Sequence, residues 1–135
     1  MGTTSKFFIA EHHALKAKLH YDLRFRIPRS SMWASFACRK EIPLITGKKI
    51  LAVRTKDHRE KEAVFTGKIE TGYGAGTLKK WDSGSCVIER YTSKHIAINF
   101  KGSKLKGLYH LISIRVIEKK KAEGSQYLLF KGKEI

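Results

Sequence analysis

Short runs of β-branched and aromatic residues recur along almost the whole chain, separated by residues typical of tight turns. Such runs predict β-strands, because these side chains pack well on a pleated surface and Gly, Asp, Asn and Ser favour turns. Turns are predicted at Asp82-Ser83-Gly84, Lys101-Gly102-Ser103 and Glu123-Gly124-Ser125, and single helical turns within His12–Leu19 and Arg59–Ala63. Nine or ten strands are predicted, at 6–11, 20–27, 32–38, 49–55, 63–69, 76–81, 85–92, 95–101, 107–117 and 126–131.

So many short strands in 135 residues indicate an all-β fold, either a sandwich or a closed barrel. The barrel is favoured because closure leaves no exposed strand edge and creates a polar mouth for a ligand. We therefore expect a small closed or nearly closed β-barrel of about eight strands. A chain of this length normally forms one domain, so residues 1–135 are predicted to be a single domain.

The charge balance points to a polyanionic partner. The chain has 28 Lys and Arg residues against 12 Asp and Glu residues, a formal net charge of +16. An excess this large predicts attraction to a nucleic-acid backbone, which a basic run such as Lys119-Lys120-Lys121 suits. The alternative is a surface that merely carries solvated lysines. No apolar run approaches the ~20 residues of a membrane span, and the first residues lack an apolar signal segment. We expect a cytoplasmic protein without a membrane partner, with a monomer as the default.

The two cysteines, Cys38 and Cys86, lie far apart in apolar, strand-like surroundings. Two buried, reduced thiols are favoured over a disulfide, because intracellular thiols stay reduced. No Cys-x-x-Cys pair occurs, which argues against a thiolate zinc site.

The strand predicted at 20–27 carries chemically distinct side chains on one face. Because side chains alternate with period 2, the even-numbered residues share one face and the odd-numbered residues the other. The first set is His20, Asp22, Arg24 and Arg26, and the second is Tyr21, Leu23, Phe25 and Ile27. A half-buried strand whose polar face meets water gives the same alternation. An imidazole and a carboxylate two residues apart can also bind one cation together.

A second imidazole is available upstream, from His12 or His13. With His20 and Asp22 it makes a set of two histidines and one carboxylate, which suits a divalent transition metal such as Mn²⁺. Such a set leaves coordination positions open for water or a phosphate oxygen. Arg24 adds a planar guanidinium whose N–H fork matches two phosphate oxygens. The residues therefore favour a metal site with a phosphate-binding neighbour.

Six segments carry motifs in a fixed order. They are EHHALKAKLHYDLRFRI at 11–27, SFACRKEIP at 35–43, LAVRTKDH at 51–58, FTGKIETGYGAGTLKKWDSG at 65–84, LKGLYHLISI at 105–114 and YLLFKGK at 127–133. Together they resemble the phosphoesterase family typified by the 3′-phosphoesterase domain of bacterial DNA ligase D and its stand-alone archaeal relatives. The resemblance covers nearly the whole chain and includes the family's L-H-Y-D, Y-G-A-G-T and W-D-x-G motifs, with the stretch before Tyr73 one residue shorter than in the family pattern.

The resemblance implies a small β-barrel and a hydrolase that depends on Mn²⁺, with Co²⁺ and Zn²⁺ as alternatives. Members of this family remove a 3′-terminal ribonucleoside by phosphodiester cleavage and then the remaining 3′-phosphate. The 3′-OH that is left serves a repair polymerase or ligase. The implied substrate is nucleic acid with a recessed 3′ end, as in a primer-template, and the preference between DNA and RNA stays open.

The resemblance also assigns site residues by position. The implied metal ligands are His12, His20 and Asp22, and the implied contacts to the scissile phosphate are Arg24 and His58. Lys40 and Arg26 are assigned to phosphate or nucleic-acid binding. Seven residues separate His12 from His20, where many members have five, so His13 stays open as the alternative ligand.

Five positions depart from the family pattern. Lys56 replaces an acidic residue, Arg59 a proline, Glu62 a tyrosine of the expected phosphate site, Ile50 an arginine, and Arg26 the glutamate that usually ends its strand. These changes leave the ligands intact and alter the phosphate site. A second hypothesis is therefore a nucleic-acid-binding β-barrel with weakened or lost activity. A third, a barrel acting on a small phosphorylated metabolite, leaves the net charge unexplained.

Overall fold

The computed structural model describes residues 2–116 and 123–133, and these residues form antiparallel strands and one short helix. The end of the strand predicted at 107–117 and the basic run Lys119-Lys120-Lys121 lie outside the described residues. The elements are β1 (Thr3–Ala14), β2 (Lys18–Arg26), β3 (Met32–Cys38), β4 (Lys49–Arg59), α1 (Glu60–Ala63), β5 (Gly67–Ile69), β6 (Gly76–Tyr91), β7 (His95–Gly102), β8 (Lys106–Arg115) and β9 (Gln126–Lys131).

Eight of these strands close an antiparallel barrel in the order β1-β2-β3-β4-β9-β8-β7-β6. The closing pair is β1 with β6, which runs from Thr3 opposite Ile88 to Ala14 opposite Gly76. The short strand β5 pairs with the beginning of β6 and lies outside this ring. The prediction of a closed all-β barrel of about eight strands is confirmed.

Three local predictions were wrong. The segment His12–Leu19 is not helical, because β1 and β2 stay paired from His12 opposite His20 to Ala14 opposite Lys18. The strand predicted at 63–69 begins only at Gly67, since Ala63 ends α1. The strands predicted at 76–81 and 85–92 are one strand, β6, so the turn predicted between them at Asp82-Ser83-Gly84 does not form. The helical turn predicted within Arg59–Ala63 is confirmed as α1.

Two apolar clusters lie on opposite sides of the barrel wall. The interior core includes Leu23, Phe25, Phe36, Tyr109 and Tyr127, all at most 1% exposed. On the outer face a smaller cluster, which we call the outer cluster, packs α1 and β5 against the wall. Its members are Phe8, Ala10, Trp33, Ala63 and Leu78, with Ile69 packed against them.

Burial of both cysteines agrees with the prediction of free thiols. Cys38 and Cys86 are unpaired and buried in the interior core. Burial raises the pKa of each thiol to about 12, so both are protonated and unreactive at neutral pH. The described residues contain no helix that is long and apolar enough to cross a membrane.

A buried carboxylate replaces the turn predicted at Asp82-Ser83-Gly84. Asp82 is 3% exposed and its two oxygens accept four backbone N–H groups. The donors are Ser83 (2.9 Å), Ser103 (3.0 Å), Lys104 (3.0 Å) and Leu105 (2.7 Å). Gly84, at φ +156°, approaches β7 so closely that a Cβ would lie 2.8 Å from the Lys101 carbonyl oxygen. The Asp82 carboxylate thus ties β6 to the β7–β8 connection.

We expect Asp82→Ala to lower the free energy of unfolding by about 3 kcal/mol, because it leaves four N–H groups without their charged acceptor. Urea denaturation followed by circular dichroism measures this change. Lys101→Ala, at an exposed site on β7, is the control and is expected to stay within about 0.5 kcal/mol of the wild type. Equal stability of the two variants would contradict this role of Asp82.

Candidate functional site

Strand register brings the candidate residues together on the outer face of the barrel. Residues directly opposite each other on paired strands lie on the same face. Three neighbouring rows cross β1 to β4: His12 and His20; Ala10, Asp22, Ala37 and Val53; and Phe8, Arg24, Ser35 and Thr55. The small side chains of Ala10 and Ala37 flank Asp22 and leave its carboxylate accessible to both histidines. The predicted separation of the two faces of the strand at 20–27 holds.

His12, His20 and Asp22 form a compact donor cluster. Their ligand atoms all lie within 4.8 Å of one another. His12 Nδ1 lies 3.1 Å from one Asp22 oxygen, and His20 Nε2 lies 3.1 Å from the other. Two imidazole nitrogens therefore face the same carboxylate from both sides.

The other nitrogen of each histidine meets a backbone carbonyl. His12 Nε2 lies 2.7 Å from the Gly74 oxygen, and His20 Nδ1 lies 3.2 Å from the Lys18 oxygen. A carbonyl can only accept, so each of these nitrogens carries its proton. In the neutral imidazole the opposite nitrogen then has a free lone pair directed at Asp22. This donor chemistry fits a divalent metal ion held by the two histidines and Asp22.

Burial and charge set the protonation of the cluster. Burial alone would raise the pKa of Asp22, but hydrogen bonds from His12 and His20, together with the Arg24 charge, lower it below its usual range. The hydrogen bond to Asp22 raises the pKa of His12 despite partial burial. The carboxylate thus stays ionised, and the raised pKa of His12 favours its protonated form beside Asp22.

The structure places His12, and not His13, in the cluster. Alternation along β1 directs His12 to the outer face with Ala10. His13 is exposed and its Nε2 bonds the Glu11 carboxylate instead. The longer spacing to His20 is absorbed in the β1–β2 turn at residues 15–17, which leaves the His12 to His20 pairing intact.

Arg24 is buried and most of its donors already have partners. Nε donates to Ser35 Oγ at 3.1 Å, and Nη1 donates to the Glu62 and Ala63 carbonyls at 3.2 and 3.3 Å. Nη2 donates to Asp22 at 3.4 Å. Of the five guanidinium N–H groups, this arrangement leaves one, on Nη2, for a further acceptor. Most of the guanidinium N–H groups that were expected to bind two phosphate oxygens instead connect Asp22 to β3 and to the end of α1.

A β-bulge turns His58 toward the same face. Ser35 pairs with Thr55 while Trp33 pairs with His58, so β4 has one residue more than β3 between these pairs. Simple alternation would put Thr55 and His58 on opposite faces, and the extra residue puts both outside. Burial and then the Arg24 charge lower the pKa of His58. Its Nδ1 has no hydrogen-bond partner among the described residues, and Glu62 Oε2 lies 3.8 Å away.

The cluster opens into a groove of about 680 Å³. Lys40, Arg39 and Lys49 bring exposed cations to it. Arg26, although on the predicted face, instead lines a separate pocket beside Glu60. His58 is not among the groove-lining residues. The ligand site thus lies on the outer wall, and not at the mouth of the barrel that closure suggested.

Several functional groups were missed from sequence. The Gly74 carbonyl is a backbone group, so residue type gave no signal for it. Ser35 and Thr55 follow from the register of β2, β3 and β4, which sequence alone did not supply. Tyr73 was not missed in this way, because it stands in the recognised Y-G-A-G-T motif; it lines the groove and is 70% exposed.

The barrel and the groove define a class of protein: an antiparallel β-barrel with a candidate metal centre suited to phosphate esters. The family described as the DNA ligase D 3′-phosphoesterase domain matches residues 10–113. The chain belongs to this family.

Curated relatives agree with this assignment. The multifunctional non-homologous end joining protein LigD of Mycolicibacterium smegmatis is 38% identical over 126 residues, covering 84% of this chain and 16% of that protein. The LigD proteins of Mycobacterium bovis and Mycobacterium tuberculosis are 37% identical over 116 residues, covering 82% of this chain and 15% of each relative. The chain therefore spans a small part of these longer proteins.

We expect His12→Ala to weaken Mn²⁺ binding by more than about ten-fold, because even residues that only orient metal ligands contribute about 10–100-fold. Isothermal titration calorimetry on the folded variants measures this. His13→Ala is the matched control and is expected to bind Mn²⁺ like the wild type. Loss of binding in His13→Ala with retention in His12→Ala would reverse the assignment.

Proposed function

We propose that this chain is a metal-dependent phosphoesterase that heals nucleic-acid 3′ ends. It removes a 3′-terminal ribonucleoside as a phosphodiesterase and then the 3′-phosphate as a phosphomonoesterase, leaving a 3′-OH for repair synthesis or ligation. The observation that carries the proposal is the cluster of His12, His20 and Asp22 beside Arg24, in a groove with exposed cations. Membership of the DNA ligase D 3′-phosphoesterase domain family supports the same activity.

The proposed metal is Mn²⁺, with Co²⁺ and Zn²⁺ as alternatives, because two imidazoles and one carboxylate suit divalent transition metals. When bound, the ion supplies a Lewis acid that polarises the phosphate ester. The contribution of the chain is preorganisation. The Gly74 and Lys18 carbonyls fix the proton on one nitrogen of each histidine, so the ligand nitrogens face Asp22 before substrate arrives.

Arg24 is proposed to stabilise charge on the phosphate. Its remaining Nη2 N–H donates to a non-bridging oxygen, where negative charge grows in the transition state. Ser35 and the two carbonyls of α1 hold the guanidinium in place, so little reorganisation accompanies the reaction. The fixed cation therefore lowers the barrier more than it strengthens ground-state binding.

His58 is proposed to donate a proton to the leaving oxygen. Burial and the nearby Arg24 lower its pKa, which makes its imidazolium a stronger acid. The bulge in β4 supports this role, because it gives His58 the same face as Arg24.

The proposed substrate is nucleic acid with a recessed 3′ end. The net charge of +16 supports a polyanionic substrate. Lys40, in the groove, and Arg26, in the neighbouring pocket, are proposed to contact phosphates. The chain is proposed to act as a single-domain monomer that passes its 3′-OH product to a repair polymerase or ligase.

The first test is a labelled primer-template ending in one ribonucleotide, incubated with Mn²⁺ with and without EDTA. We expect shortening to a 3′-phosphate and then to a 3′-OH, abolished by EDTA. Asp22→Asn is expected to lower the rate at least about 100-fold, because metal polarisation contributes several kcal/mol. Glu89→Gln makes the same chemical change at an exposed site on β6 and serves as control.

A second candidate function is binding without catalysis, favoured by the occupied donors of Arg24. Salt-sensitive binding of the primer-template without cleavage by the wild type would establish it and overturn the proposed hydrolase.

The proposed role of His58 as proton donor gives a separate prediction about the pH dependence of activity. The Glu62 carboxylate raises the pKa of His58, against the larger effects that lower it. Glu62→Gln removes this negative charge and destabilises the imidazolium, so the pKa of His58 falls further. As pH rises, activity that needs protonated His58 is therefore lost at a lower pH in this variant than in the wild type. NMR titration of His58 and the pH–rate profile measure the two shifts.

Glu60→Gln is the matched control, on the same helix and similarly exposed, with Lys6 as its partner. It is expected to leave the His58 titration curve and the pH–rate profile as in the wild type. If Glu62→Gln shifts the His58 titration without shifting the pH–rate profile, His58 is not the proton donor.

A further inference from the structure

Tyr73 presents an aromatic ring to solvent beside the metal cluster. It is 70% exposed and lines the groove. Its hydroxyl makes no hydrogen bond within the described part of the chain, and its ring contacts no other aromatic ring there. Core packing therefore does not explain this residue. An exposed ring at the wall of a ligand groove is suited to stack against a flat ligand.

The backbone around Tyr73 is held firmly to β1. The carbonyl of the next residue, Gly74, accepts the His12 Nε2 proton at 2.7 Å, and the Leu15 N–H donates to the Ala75 carbonyl at 2.8 Å. Gly76 approaches β1 so closely that a Cβ would lie 2.0 Å from the His13 carbonyl oxygen. The backbone that carries the ring is thus anchored one residue away from the carbonyl that orients a proposed metal ligand.

The wall of the groove formed by β3 and β4 has an apolar stretch beside the polar Thr55. It consists of Ala37, Leu51 and Val53, and Leu51 is 47% exposed. Lys49 and Lys40 are exposed residues that line the same groove. A nucleobase has two apolar faces with π character, and stacking of its face on an aromatic side chain tolerates any base sequence. The combination of an aromatic ring, an apolar wall and flanking cations matches a nucleoside attached to a phosphate.

We propose that Tyr73 and the apolar wall form a subsite for the base of the 3′-terminal nucleoside that leaves in the phosphodiesterase step. The inference rests on the proposed function and adds where the leaving group binds. A 3′-phosphate end has already lost that nucleoside and gains nothing from the subsite. Tyr73 is therefore a specificity-determining residue for the first step and makes no contact with the reacting atoms.

The test compares two primer-templates in the presence of Mn²⁺. One ends in a ribonucleoside, and the other ends in the same sugar without its base. Tyr73→Ala is expected to lower kcat/KM for the first relative to the second by about ten-fold, the usual size of one base–aromatic stack. Tyr73→Phe keeps the ring and is expected to restore most of this ratio. Ile45→Ala, at a residue 71% exposed that does not line the groove, is the control and leaves the ratio as in the wild type.

A second measurement separates this inference from the proposed function. A primer-template ending in 2-aminopurine ribonucleoside is titrated with protein in EDTA, where no cleavage is expected. Stacking on Tyr73 quenches the fluorescence, and Tyr73→Ala is expected to lose the quenching. If the wild type cleaves neither primer, the proposed function fails while quenching still decides the subsite. An unchanged kcat/KM ratio, or quenching that survives Tyr73→Ala, would overturn the subsite.

Discussion

The buried Asp22 carboxylate is the contact on which the site depends. A buried charge is costly unless it is paired, and Asp22 meets two imidazoles and a guanidinium at 3.1 to 3.4 Å. Arg24 extends the network to Ser35 on β3 and to the carbonyls of α1. Four elements are therefore joined through one carboxylate, and the same pairing that makes its burial tolerable keeps it ionised for a metal.

Barrel closure separates stability from chemistry. The interior core is filled by one set of alternating side chains, so the opposite set is free to be polar on β2. Without closure, the long edges of β1 and β6 would need covering. Because barrel closure pairs these two edges with each other, α1 and β5 need to cover only part of the outer wall. The rest of the wall stays open as a groove.

The features of the fold and of the site that depend on strand periodicity could be predicted from the sequence. Alternation in β2 put His20, Asp22 and Arg24 on one face, and repeated strand signals predicted the closed barrel. Alternation gives no guide where the backbone departs from a simple period. The bulge in β4 puts His58 on the same face as Thr55, three positions away. The turn predicted at Asp82-Ser83-Gly84 was wrong, because Asp82 holds a connection distant in sequence. The orienting carbonyl of Gly74 belongs to the main chain, which every residue shares, so only the fold could locate it.

The pairing of β1 with β6 has a consequence for synthesis on the ribosome. All three proposed ligands lie in the first hairpin, which is complete once Arg26 has left the exit tunnel. The carbonyl that orients His12 emerges about fifty residues later, and by the rates typical of translation this takes several seconds. During that interval the nascent hairpin contains all three proposed ligands, but the Gly74 carbonyl that orients His12 has not yet been synthesised. The proposed metal site, with both orienting carbonyls in place, can therefore be complete only after residue 74 has been synthesised.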